Sequence, residues 1–228
     1  MARAFVGKLF RVGFAILHAP VYQAEHKSAL SADWAHLPIP KDLNLFEQLV
    51  VKGEQVTRLL DANRDARDVI EAVLGRECAA PLGPLKRSDG TNLRPGDLKV
   101  NVTYWGGGKG RWKPRPFTID DTPNEIWGAD VWGERTGDLY INDDVFFSHV
   151  PEAVWTYQLG GYPVLKKWLG YRQADRRDDK PLTDDERKWF RQMIQRIAAL
   201  LALGVELDPL YQQAAANAFT AAELGIDR

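Results

Sequence analysis

Apolar positions change their spacing twice along this chain. From Ala2 to Leu74 they recur at helical intervals, and Phe5, Leu9, Val12 and Ile16 share one face of a first helix ending at Leu17. The same spacing predicts helices over Gln23–Trp34, Leu43–Leu60 and Ala66–Leu74, punctuated by Pro20, Pro38 and Pro40. Asp42 suits the N-cap of the third, although Glu47 and Gln48 stand too far on to complete a capping box. From Gly75 to Pro151 the helical interval gives way to alternation. Leu98, Val100, Val102 and Tyr104 alternate with Lys99, Asn101, Thr103 and Trp105, the pattern of a half-buried strand. Asp138–Asn142 reads as a second short strand and Glu125–Val131 as a weaker third, with glycines and prolines marking turns.

The last part is helical again. Thr183-Asp-Asp-Glu186 is a capping box opening a helix whose stripe runs through Phe190, Met193, Ile194, Ile197, Leu200 and Leu201. Pro209 is expected to start a final helix. No internal repeat is visible. The expected architecture is α+β, a helical frame at both ends with a β-rich central insert. It is read as one domain over 1–228, in parts 1–74, 75–151 and 152–228.

Composition narrows the function classes. The chain has 228 residues, enough for a sizeable core, and a formal charge of −1, which gives no global pull towards nucleic acid or membrane. A single cysteine, Cys78, excludes an internal disulfide framework and a thiolate-rich zinc site, and fits a reducing cytoplasm. Lys8 and Arg11 interrupt the first apolar stretch, so neither a signal peptide nor a membrane span is expected.

Charge is nevertheless polarised locally. Lys86, Arg87, Arg94, Lys99, Lys109, Arg111, Lys113 and Arg115 face only Asp89 and Asp97 between positions 86 and 116. Residues 117–144 then carry eight acids against Arg135 alone. Within the basic stretch, TYWGGGKGRWKPRP combines glycines that permit close backbone approach with four cations alternating with aromatics and prolines. Such cations can contact phosphates or donate to guanine in the major groove, while Trp105 and Trp112 can wedge, stack or simply pack. A solvated glycine-rich hairpin tip reads equally well from the residues alone. Gly106-Gly107-Gly108-Lys109 lacks the spacing and the Ser/Thr of a phosphate-binding P-loop.

The densest local pattern is Val154–Arg172, VWTYQLGGYPVLKKWLGYR, in which Gly160-Gly161 bends the chain and Pro163 opens a helix. Leu165, Trp168 and Leu169 share one face of that helix; Lys166, Lys167 and Arg172 lie on or beside it as a solvated face or as phosphate contacts. LYINDDVFFSHVPEAV precedes it, and a charged loop and a long helix follow. Together these segments resemble the C-terminal specificity domain of type ISP restriction–modification enzymes, single-chain DNA translocases with a nuclease, a helicase-like motor and an adenine methyltransferase. ILHAPVYQAEHKSALSADWAHLPIPKDLNLFEQLVVKGEQVTRLL is similar to that domain's opening: a helix, a His-x-Pro-x-Tyr turn, an Ile-Pro pair and a Leu-Phe helix. The two matches cover both ends of the chain and leave about Arg76–Asp130 unmatched.

The resemblance implies a DNA target-recognition domain with duplex DNA as partner, serving methyltransferase and helicase domains in cis or in trans. S-adenosylmethionine and ATP would belong to those upstream or partner domains; no cofactor and no metal is expected in this chain. The residues expected at DNA are Lys109, Arg111, Lys113 and Arg115, then Lys86 and Arg87, with Trp112, Lys166, Lys167 and Arg172. Two other classes remain open: an adaptor that docks a DNA-modifying enzyme without reading bases, and a small metal-dependent nuclease. The nuclease would use Asp143, Asp144 and His149, or Asp120, Asp121 and Glu125, yet neither set has a recognised ligand spacing. His18 and His36 sit among apolar residues and prolines as structural histidines. No Asn/Asp-Pro-Pro-Tyr/Phe segment, methyl-donor loop or helicase motif is present, so catalysis is not expected of this chain alone.

Overall fold

Helical spacing in the first third becomes helices wherever an apolar stripe finds a partner. The computed structural model describes residues 2–32, 36–101, 112–117 and 129–225. Contacts divide the chain into two compact units, 1–69 with 202–228, and 70–201. The boundaries between these units fall inside helices. They pass through α5 (Arg67–Leu74) between Val69 and Ile70, and through α10 (Asp184–Ala216) between Leu201 and Ala202.

In the first unit α1 (Ala2–Leu17) packs on α4 (Leu43–Leu60), burying Val12, Ala15 and Ile16 with Leu49 and Val56. Gly53 makes the approach possible. A Cβ there would lie 1.8 Å from the backbone oxygen of Arg11, so no side chain fits between the helices. The Asp42 carboxylate accepts from the amides of Asn44 at 2.7 Å and Leu45 at 3.2 Å, capping α4 as expected. The helix expected over Gln23–Trp34 is instead two, α2 (Pro20–Glu25) and α3 (Lys27–Ala32), separated at His26; residues 33–35 lie outside those described. Tyr22 is fully buried, edge-on to Tyr211 of α10 with ring centroids 5.2 Å apart. The Val21 amide donates to Asp208 at 2.8 Å. Pro209 does not restart a helix but lies inside α10. A proline there forfeits one backbone hydrogen bond, and the buried neighbours Leu207 and Tyr211 hold the helix across it.

The second unit includes α6 (Arg76–Ala79) and is built on a four-stranded antiparallel sheet in the order β1-β4-β3-β2. Its strands are β1 (Leu85–Arg87), β2 (Trp112–Pro116), β3 (Arg135–Tyr140) and β4 (Val145–Phe147). Leu139, Val145 and Phe147 point to one face and are buried, with Phe147 against Phe190 of α10 at a ring separation of 4.7 Å. Leu139 pairs with Phe147, whereas Gly137 exchanges both backbone hydrogen bonds with Val150, so the β4 side carries one extra residue. His149 takes up that bulge with a left-handed φ of 55°. Trp132 of α7 (Ala129–Trp132) is fully buried, its indole donating to the Ala198 carbonyl at 3.3 Å.

Two strand expectations fail here. Pro95–Leu98 is a single 3-10 turn, because Asp97 turns its carboxylate back onto the Arg94 amide at 2.8 Å. Val100 beyond it makes only an isolated parallel bridge to Gln173, and 102–105 lie outside the described residues. The end of the segment expected as a third strand is helical in α7, and 125–128 also lie outside. α8 (Glu152–Thr156) leads into a hairpin, β5 (Gln158–Leu159) and β6 (Tyr162–Pro163), whose tip Gly160-Gly161 has φ of 56° and 79°. α9 (Val164–Gly170) follows, with Pro163 one position before it. The α+β class holds.

Replacing Gly53 with alanine should destabilise the protein by at least about 2 kcal/mol in urea unfolding, because the added carbon meets backbone rather than a yielding side chain. The exposed Val51 on the same helix, changed to alanine, should shift stability by no more than about 0.5 kcal/mol.

Candidate nucleic-acid interface

Strand register sorts the basic residues of the middle segment by face. Lys86 pairs with Phe146, Phe146 with Tyr140, Lys113 with Asp138 and Arg115 with Thr136, so these side chains stand on the face opposite Leu139 and Phe147. Lys86 and Lys113 are exposed and Arg115 is half-buried. Between them Tyr140 and Phe146 stack at 4.8 Å, and the Lys113 ammonium sits 3.8 Å from the centre of the Tyr140 ring. The outward face is therefore an aromatic pair flanked by Lys86 and Lys113, with Asp138 beside Lys113 and Arg115 further along β2 opposite Thr136. Local charge density singled out the cations. Tyr140 and Phe146 were missed, although alternation in DLYIN puts Leu139 inside and so Tyr140 outside.

Other expected contact residues are placed differently. Arg87 points to the inner face, where its guanidinium meets Asp89 at 3.0 Å and Asp97 at 2.7 Å. Hydrogen bonds to these two carboxylates raise its pKa further and hold both acids low. Trp112 is an anchor. Its indole donates to the Val150 carbonyl at 2.9 Å and fills the space over Gly137, where a Cβ would come within 2.6 Å of it. Lys109 and Arg111 lie outside the described residues, immediately before β2.

The cations of Val154–Arg172 each rest on an aromatic ring. Lys166 lies 5.0 Å from the centre of Trp155, Lys167 5.7 Å from Tyr162, and the Arg172 guanidinium 3.6 Å from Trp168. Trp168 in turn meets Phe190 at 4.9 Å. Arg172 donates to Glu186 at 3.1 Å, as does Arg177, while Glu186 accepts the Thr183 amide at 2.9 Å and the Thr183 hydroxyl accepts the Glu186 amide at 3.2 Å. The capping box is thus present, and its glutamate also binds two arginines. Among the described residues no three His, Cys, Asp or Glu side chains gather as a metal site, and no helix is long and apolar enough to cross a membrane. Asp120, Asp121 and Glu125 lie outside them.

The chain matches the family model of the type ISP C-terminal specificity domain over residues 8–200. It belongs to that family. No curated protein and no solved structure matches it. Membership supports a target-recognition role in type ISP systems, and a specificity domain is in general the non-catalytic part of such an enzyme. The match runs through the middle segment, so the sheet, its cationic face and the Glu186 junction all fall inside the specificity domain.

Burial opposes the Glu186 charge, but the Thr183 amide, Arg177 and Arg172 outweigh it and hold its pKa below the usual carboxylate value. A depressed folded-state pKa gives stability that is complete above the unfolded value, about 4.3, and is lost as pH falls through the folded one. Glu186→Gln should therefore lower urea stability clearly at pH 7, and the gap to wild type should shrink below about pH 4. A gap independent of pH would mean that Glu186 acts through packing alone.

Proposed function

We propose that this specificity domain recognises duplex DNA through the outward face of its sheet, directing an adenine methyltransferase and its translocase to a short site. The observation that carries this reading is the placement of Lys86 and Lys113 about the Tyr140–Phe146 pair, with Arg115 further along the same face of the antiparallel sheet. Cations at fixed spacing grip phosphates and set register, which base-reading groups then exploit. Lys109 and Arg111, which precede β2 in sequence, are the base-reading candidates. Arg87, Trp112 and Arg172 support the face from beneath or beside it, and Lys166 and Lys167 supply secondary backbone contacts. The partners are methyltransferase and helicase domains, in cis or in trans, which carry the S-adenosylmethionine and ATP chemistry.

An adaptor reading draws on a different observation. In the first unit α1 leaves Phe5, Val6 and Phe10 at least half exposed, a surface suited to a protein partner. The two readings separate on salt. Retention of a randomised duplex pool should fall steeply between 50 and 200 mM salt, and Lys86→Ala and Lys113→Ala should each reduce the log–log slope by about 0.9. Slopes unchanged in both variants would remove the outward face from DNA binding. Arg111→Ala should relax one base position by about 1–3 kcal/mol if it reads a guanine; uniform weakening over all sequences would make it a phosphate contact.

A further inference from the structure

A second concentration of positive charge lies within the 70–201 unit, away from the outward face. The Arg94–Leu98 turn and the loop entering α10 line a half-open cavity of about 630 Å³. Arg94, Arg177, Lys180 and Arg187 line it, with Asp184 as the acid and Leu93, Leu98 and Leu182 among its apolar walls. Arg177 is committed to Glu186, and Arg187 lies 2.8 Å from Asp184. Arg94 and Lys180 are exposed and have no ion-pair partner among the described residues. The Arg187 Nε is buried against Asp184, so this arginine is engaged within the protein. The start of α10 contributes nothing free, since Thr183 and Glu186 already cap it.

Arg187 also lines a smaller cavity of about 310 Å³ with Phe147, which stands on the inner face of the sheet. The cationic cavity is therefore on the side away from Lys86 and Lys113. With Arg177 paired to Glu186 and Arg187 to Asp184, Arg94 and Lys180 are the uncommitted cations of this half-open recess, and they favour a small anion. A guanidinium matches phosphate oxygens in pairs, and an ammonium beside it adds a point charge. The recess is also pinned. Asp97, which closes the Arg94 turn, is held by Arg87 from β1 at 2.7 Å, so the Arg94 wall keeps its place without a ligand.

We infer that this cavity is a phosphate-binding site, seating either a backbone phosphate of DNA that reaches round the sheet edge or a phosphate group on a mobile ligand. The site stands independently of the outward face. Titrating the full chain with inorganic pyrophosphate in a calorimeter tests it, beside duplex-DNA retention on the same proteins. Arg94→Gln and Lys180→Gln should each weaken pyrophosphate roughly tenfold. Asp184→Asn should tighten it several-fold, a gain that misfolding cannot produce. Val51→Ala, at an exposed position outside both proposed sites, should leave it unchanged. If the Arg94 and Lys180 variants also lose DNA retention, the seat takes a backbone phosphate; if retention is unchanged, it takes a mobile phosphate. Absence of pyrophosphate binding in the wild type, or binding indifferent to Arg94, Lys180 and Asp184, would overturn the site. Failure of Lys86→Ala and Lys113→Ala to affect DNA would instead count against the outward face alone.

Discussion

The carboxylate of Glu186 is the point on which the 70–201 unit depends. It closes the first turn of α10 on Thr183 and holds Arg172 and Arg177 at the same time. Arg172 in turn covers Trp168, Trp168 meets Phe190, and Phe190 meets the sheet through Phe147. One ionised group thus joins the helix start, the glycine-hairpin segment and the inner face of the sheet. Removing one partner of a part-buried ion pair leaves the other charge without compensation, which costs more than the net value of the pair. The aromatic chain gives the junction direction, because large rings pack well in only a few mutual orientations.

How the segments of this chain could be read depended on the range of the forces that shape them. α4, its Asp42 cap and the Thr183–Glu186 box were legible because each is a local arrangement of neighbours in sequence. The α+β class followed from the same local periods. β1 and β4 were not legible: three residues each carry too little alternation, and both exist because β3 and the Pro84–Ser148 bonds recruit them. Pro209 misled for a related reason, since the cost of a proline in a helix is local while the buried Leu207 and Tyr211 that offset it are tertiary.

The candidate face shows the same division. Lys86 and Lys113 could be chosen from charge density, but charge density cannot distinguish Lys86 from Arg87, adjacent in sequence and on opposite faces of the sheet. Register decides between them. Arg87 serves Asp89 and Asp97, and its neighbour is left to solvent. Trp112 likewise has the composition of a stacking residue and the position of a wedge, yet the bare Cα of Gly137 gives its ring a seat inside the fold. A glycine thus determines what a tryptophan is available to do.

The prolines of β2 carry a further consequence. Gly137 spends its amide and carbonyl on Val150, so its cross-strand partner Pro114 directs its own backbone away from β3, and Pro116 two residues on does the same. Neither has an amide hydrogen to offer there. Among the described residues β2 ends the sheet, and an open sheet edge is ordinarily a template on which a foreign strand can assemble. Here the template is blank at alternate positions. A partner reaching this edge finds side chains and carbonyls but no donors at Pro114 and Pro116, which weakens any added ladder and guards a cationic, aromatic-bearing sheet against joining itself to its copies.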